Sequence, residues 1–411
     1  MKIQSIKEAP LYEIQAGSIL SPKGFMAAGV CSGVREARND LGILFSEVPA
    51  ECAAVYTASH FQAAPLKVTQ DSLSLENKLQ AILVNSGCAN ACTGKQGLED
   101  AYETRQWTAK AFGLPEHYVA VSSTGVIGEY LQMEKIKAGI QQLPPALHSQ
   151  NAEPFETAIL TTDTQTKKCA FQTKIDGQTV TMGGAAKGSG MIHPNMATML
   201  AYITTDAAIA SEHLQAALRL VTDQTFNQIT VDGDTSTNDT VMVLASGLAG
   251  NQPLSPEHRD WPAFLFMLKK TSETLAKMIA RDGEGATKLV EVEVSGAFND
   301  EEARTAAKAV VGSNLVKTAV FGADANWGRI ISAIGSANIM LNPNRIDIAI
   351  GNQKILEQSE VVCYSEKQLT DYFKGDTVKI TVHLHTGDGC GRAWGCDLSY
   401  DYIKINASYR T

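Results

Sequence analysis

KGSGMIHPNMATML, Lys187 to Leu200, runs from a glycine-rich loop through His193 and Pro194 into a β-prone run that starts near Thr198. A hydroxyl residue at such a junction has a particular chemical use. If the loop presses the Ala197 carbonyl toward Thr198 Oγ in a strained geometry, an N-to-O acyl shift followed by hydrolysis cuts the chain and makes Thr198 a new N-terminus. The freed α-amine, with an unperturbed pKa of about 7.7 to 8.0, can then take the hydroxyl proton near neutral pH without a histidine. Threonines that begin strands are common, so by itself the segment favours the plain structural reading.

Outward from this segment, short β-rich runs alternate with amphipathic ones. AILVN (81–85), YVAVS (118–122), MLAYITT (199–205), VMVLAS (241–246), VEVEVSG (290–296) and TVKITVHLH (377–385) read as strands. Met133, Ile136, Ile140 and Leu143 share a helical face that Pro144 and Pro145 end, and Phe264, Leu268, Leu275 and Ile279 repeat the pattern. Residues 211–228 and 366–373 are further helix candidates. LPPALHSQNAEP (143–154) reads as a surface connection. Strand spacing is irregular and several strands look joined by turns, which predicts an α+β fold of layered mixed sheets rather than a doubly wound parallel sheet. The 411-residue length predicts two lobes or one large layered domain.

The formal net charge of -9 disfavours nucleic-acid and anionic-membrane partners, and no apolar run approaches a membrane span, so a cytoplasmic protein acting on small molecules is expected. Cys88 and Cys92 have a zinc-like spacing without a matching second pair, so no metal site is expected. Familiar motifs fail on spacing. GGAAKGSG (183–190) places Lys187 before Gly188, against the order a phosphate loop needs, and GDGCGR (387–392) ends in Arg392 where a dinucleotide fingerprint needs glycine. DGDTSTND (232–239) has Thr237 where a calcium loop needs glycine and reads as a polar turn.

KGSGMIHPNMATML closely resembles the self-processing segment of the ornithine acetyltransferase (glutamate N-acetyltransferase) family. NSGCANACTG (85–94), SSTGVIG (122–128), TTDT (161–164), TVDGDTSTNDT (230–240), RDGEGATK (281–288), FGADANWGRI (321–330) and NASYRT (406–411) resemble further family blocks in family order, so the likeness spans nearly the whole chain. The resemblance implies a fold like that of the N-terminal-nucleophile enzymes and cleavage between Ala197 and Thr198, into an α chain of residues 1–197 and a β chain of 198–411 that remain one interlocked unit. It implies Thr198 as the nucleophile and Thr124 with Gly125 as the oxyanion hole. Substrate contacts are implied at Thr161, Lys187, Thr198, Glu284, Asn406 and Thr411. Lys187 would pair with a substrate carboxylate and Glu284 would hold or deprotonate a substrate amine. Taken singly, each has a plainer reading: a solvated lysine in a glycine loop, a surface carboxylate after a helix, a polar tail.

The activity implied is a ping-pong transfer of acetyl from N2-acetyl-L-ornithine to L-glutamate through acetyl-Thr198, in the cyclic route of arginine biosynthesis. No metal or prosthetic group is implied, acetyl-CoA is left open as a co-substrate, and a heterotetramer of two α and two β chains is the implied assembly. Two rivals remain at this point: an amidase or aminopeptidase using the same threonine, and an uncleaved amino-acid-binding protein.

Overall fold

The computed structural model of the chain describes Ile6, residues 8–193 and residues 199–408. Ala197, Thr198 and Thr411 lie outside the described residues. The chain divides into two compact units. The first comprises Met1–Gly188, Asn195–Asp223 and Thr235–Leu275, and the second Ser189–Pro194, Gln224–Asp234 and Ala276–Thr411. Both units contain residues from either side of the expected cut.

The first unit is built on a sheet of nine strands among the described residues. In chain order these are β1 (Tyr12–Glu13), β2 (Phe25–Val30), β3 (Leu41–Tyr56), β4 (Lys78–Asn85), β5 (Val119–Ser123), β6 (Lys167–Ile175), β7 (Gln178–Lys187) and β8 (Leu200–Thr205). After β9 (Ile229–Thr230), which belongs to the other sheet, β10 (Thr240–Ala245) completes the set. The spatial order is β1-β6-β7-β8-β10-β3-β4-β5, with β2 also on β3. β8 and β10 are buried along their whole length, which is why they read as continuous apolar runs. β8 pairs with β7 on one side and β10 on the other, so strands from both sides of the expected cut interleave in one sheet.

Alternate residues of neighbouring strands pack on opposite faces, the period-two signature of a strand. Leu41, Ile43, Leu83 and Val121 join a cluster with Val68, Ala101 and Ile136 of helices α1 (Ala64–Glu76), α2 (Gly94–Phe112) and α3 (Met133–Gln142). Leu44, Ile82, Val84 and Ala120 join a second cluster with Tyr202 and with Phe155 of helix α4 (Glu153–Ala158).

The second unit holds a seven-stranded sheet among the described residues. It adds β11 (Leu289–Ala297), β12 (Asp347–Ile350), β13 (Gln353–Glu357), β14 (Glu360–Val361), β15 (Thr377–His383) and β16 (Gly389–Cys396) to β9, in the order β14-β13-β12-β15-β11-β16-β9. Val290, Val292 and Val294 of β11 pack with Ala303, Ala307 and Val310 of the helix Asp300–Gly312. The predicted α+β class with layered mixed sheets is what the chain adopts. The helix expected over 211–228 stops at Gln224, where Phe226–Gln228 tightens into a 3-10 turn. The connection 143–154 carries a 3-10 turn at Pro144–Ala146 and a bridge between Ala27 and His148.

Candidate functional site

In the first unit the expected oxyanion pair sits just past the C-terminal end of β5. That strand runs parallel to β4 with Asn85 opposite Ser123, so the loops that follow both strands leave at the same end. The loops are then stitched together. The Thr124 amide donates to the Asn85 carbonyl at 2.9 Å and the Ala89 amide to the Val126 carbonyl at 3.0 Å. Asn238 Nδ2 donates to the carbonyls of Ala89 and Ser123 at 2.6 and 2.8 Å, and Asn85 Nδ2 donates to Ser123 Oγ at 2.5 Å. Gly125 lies at φ +131°, and a Cβ there would stand 2.7 Å from the Gly87 carbonyl carbon and 2.8 Å from the Cys88 nitrogen. Only glycine fits this close backbone approach.

Lys187 is not a solvated loop lysine, as its glycine-rich surroundings suggest: it is the last residue of β7 and is buried. Its Nζ donates to Thr124 Oγ1 at 3.4 Å. Asp163 anchors the surroundings. One carboxylate oxygen accepts from the fully buried Lys167 Nζ at 2.6 Å and from the Gly188 amide at 2.6 Å, and the other accepts from the Thr161 amide at 3.0 Å. Burial alone would raise the Asp163 pKa, but the charges of Lys187 and Lys167 and the bonds from Lys167 and Gly188 hold it at about 2. The Thr161 carbonyl accepts from Arg38 Nη2 at 2.9 Å. Thr124, Thr161 and Lys187 are thus brought together, in surroundings where two lysines face one carboxylate.

The second unit carries Glu284 and Asn406. Glu284 is buried rather than the surface carboxylate its position after the helix Trp261–Arg281 suggests. Its Oε2 accepts from Asn406 Nδ2 at 2.8 Å, and its amide donates to the Ser189 carbonyl at 2.9 Å. A Cβ on Gly190 would lie 2.4 Å from the Glu284 carboxylate, so a larger residue there would push the end of that side chain aside. The Tyr402 phenol is pushed up by burial first and then by the nearby carboxylates of Asp232, Glu284 and Asp234. It stays protonated in an acidic neighbourhood, which suits an amine. Ala197, Thr198 and Thr411, the remaining expected site residues, lie outside the described residues.

Asp163, Lys167, Asn85 and Asn238 were not singled out from sequence. Asp163, Asn85 and Asn238 lie inside the quoted blocks TTDT, NSGCANACTG and TVDGDTSTNDT. A list of polar residues does not show which of them will be buried. Among the described residues, one group has metal-ligand chemistry: Asp176, His258 and Asp260. Its members are bonded to one another. The Gln252 amide and His258 bond to Asp176, the Asp176 amide bonds to Asp260, and the Asp260 amide bonds to His258 Nδ1.

The family described as ArgJ matches residues 26–411. The chain is 64% identical over 403 residues to the arginine biosynthesis bifunctional protein ArgJ of Geobacillus kaustophilus, covering 98% of both. It is 60% identical over 404 residues to the protein of that name from Halalkalibacterium halodurans, again covering 98% of both. Among solved structures, the crystal structure of arginine biosynthesis bifunctional protein argJ from Bacillus halodurans is 62% identical with a TM-score of 0.51, covering 52% of this chain and 100% of that one. The ornithine acetyltransferase of Mycobacterium tuberculosis, solved with ornithine, is 36% identical with a TM-score of 0.43, covering 46% of this chain and 100% of that one. An α+β acyltransferase is the class that these findings define. The chain belongs to the ArgJ family.

Proposed function

We propose that the chain is an ornithine acetyltransferase that first cuts itself between Ala197 and Thr198. Thr198 Oγ attacks the Ala197 carbonyl carbon, the C–N bond breaks, and the hydroxyl proton passes to the departing amine. Water then hydrolyses the ester, leaving a carboxylate on Ala197 and a free hydroxyl and α-amine on Thr198. In turnover, that amine takes the Thr198 hydroxyl proton as Oγ attacks the acetyl carbonyl of N2-acetyl-L-ornithine. Ornithine leaves with the proton; in the second half-reaction the amine of L-glutamate attacks the acetyl carbonyl, the bond to Thr198 Oγ breaks, and the amine's proton returns to Oγ, giving N-acetyl-L-glutamate.

The observation that carries this reading is the Thr124–Gly125 turn with Lys187 beside it. Oxyanion stabilisation needs donors fixed before the charge develops, and this turn is immobilised by parallel-strand register, Asn238 and a backbone approach only glycine allows. Lys187 and Lys167 facing Asp163 leave a local positive excess suited to a substrate carboxylate, while the carboxylates around Tyr402 suit an ammonium. Cleavage also fits the length of the solved relative, whose whole chain is covered by 52% of this one. Residues 198–411 are likewise just over half of the sequence.

The name bifunctional borne by the relatives fits acetyl-CoA as a second acetyl donor; glutamate acetylation from acetyl-CoA with no acetylornithine present tests that. The enzyme would act in the cytoplasm as a tetramer of two α and two β chains, which native mass measurement tests. The central experiment is the mass of the denatured protein before and after mixing with N-acetylornithine. A fragment beginning at Thr198 that gains one acetyl group is expected, and Thr198→Ala should leave an uncut, inactive precursor. A single unbroken polypeptide with full activity would overturn the mechanism. Release of ornithine without any dependence on glutamate would favour an amidase.

A further inference from the structure

The residues just ahead of the undescribed stretch 194–198 are held by contacts from distant parts of the chain. Asp232 Oδ2 accepts the Met191 amide at 2.6 Å, and Oδ1 accepts the Ile192 amide at 2.8 Å and the Asp234 amide at 3.2 Å. Beside it, the Val231 amide donates to the Ile192 carbonyl at 2.7 Å and Thr230 Oγ1 donates to the same carbonyl at 3.2 Å. Thr230 Oγ1 also lies 2.9 Å from His193 Nδ1. Upstream, Ser189 Oγ donates to the Asp282 carbonyl at 2.7 Å, and the Ser189 carbonyl accepts the Glu284 amide at 2.9 Å. All these residues belong to the second unit.

A carboxylate that takes two successive amides fixes two peptide planes at once, and its charge makes those bonds stronger than amide-to-carbonyl ones. Met191 shows what the clamp overrides. Its φ of +57° is left-handed, a conformation that a side chain of this size holds only when its surroundings impose it. Its side chain is exposed, so its own burial does not offset the cost.

We infer that Asp232, assisted by Thr230, is a positioning residue for self-cleavage: it locks Ser189–His193, the stretch that leads into the bond to be cut. The inference rests on the cleavage reading proposed above. Asp232 forms no covalent bond and carries no proton in the step; the attack, the C–N rupture and the hydrolysis remain those of Thr198 and water. Attack within one chain depends steeply on placement, and a misplacement of about 1 Å can cost roughly 100-fold in rate. After the cut, the same contacts would retain Ser189–His193 of the α chain.

The test follows conversion of freshly synthesised full-length chain into fragments, by denaturing mass spectrometry over time and across pH. It compares wild type, Asp232→Asn, Asp232→Ala and Thr230→Val, and thermal melting of each substitution is measured in a Thr198→Ala background that cannot cut. The expected result is cleavage roughly 10- to 100-fold slower in the Asp232 variants and less slowed in Thr230→Val, with the shape of the pH profile unchanged and melting little moved. Wild-type cleavage rates in Asp232→Ala and Thr230→Val would overturn the inference. So would a lost limb of the pH profile, which would make Asp232 a proton carrier, or a fall in melting temperature that tracks the slowing, which would make its role structural. If wild type yields no fragment starting at Thr198, or Thr198→Ala still cuts there, the cleavage reading itself fails whatever Asp232 does.

Discussion

The two units hold their carboxylates in contrasting ways. In the first, Asp163 is neutralised by Lys167 and Lys187 and is pinned by two backbone amides. In the second, Asp232 and Glu284 are held by backbone amides and the amide of Asn406. A carboxylate held by cations fixes charge, and one held by amides fixes the path of the chain. The first suits recognition of a charged ligand, and in the second Asp232 suits steering of a polypeptide segment. The contrast predicts different responses to mutation and to acid.

The largest expected effect is Asp163→Asn, which strands buried lysines without their counter-charge. Unfolding free energy from urea titration should fall by about 3 to 5 kcal/mol; a loss below about 1 kcal/mol would mean that the ion pair is not what holds this region. Next, Thr124→Val removes one donor from the turn. kcat should drop by roughly 100- to 1,000-fold, about 2.7 to 4 kcal/mol, with KM for N-acetylornithine changing far less. An unchanged kcat would refute the proposed place of Thr124 in the oxyanion hole.

Gly190→Ala should displace the Glu284 carboxylate, at a cost of about 1 to 3 kcal/mol in stability and with a raised KM for amino-acid substrates. Wild-type kinetics would separate Glu284 from substrate binding. The smallest effect is the response to acid. Burial first, and then the charge of Lys308, lower the His193 pKa from 6.5 to about 4. The unfolded chain therefore binds the proton more tightly, and this contribution to stability is complete above about pH 6.5 and is lost as pH falls toward 4. Asp163, lowered from 3.8 to about 2, keeps its contribution until pH falls below about 4. Urea titrations across pH should show that His193→Gln removes up to about one proton of uptake on unfolding between pH 6.5 and 4. An identical pH slope in the variant would break the contrast between the units.

Much of the strand and helix pattern was legible because burial imposes periods that sequence shows directly. VEVEVSG alternates and became β11, half of whose side chains face the core. VMVLAS is continuously apolar and became β10, buried on both faces. The sheet order was not legible, since β8, β10 and β3 are neighbours despite their separation in sequence. At the candidate site, Thr124, Gly125, Lys187 and Glu284 were expected from the family blocks. The misleading cues were local. Lys187 looked solvated because glycines surround it, and Glu284 looked exposed because it follows a helix, while the fold buries both.

By itself the sequence determined the α+β class and the family, because those depend on composition, periodicity and motif order. Tertiary structure alone decided what satisfies each polar group: Asp163 between two lysines, Asn238 across two loops and Asp232 on the amides of Met191 and Ile192. A buried polar atom must find a partner, and which partner it finds depends on how distant stretches of chain come together.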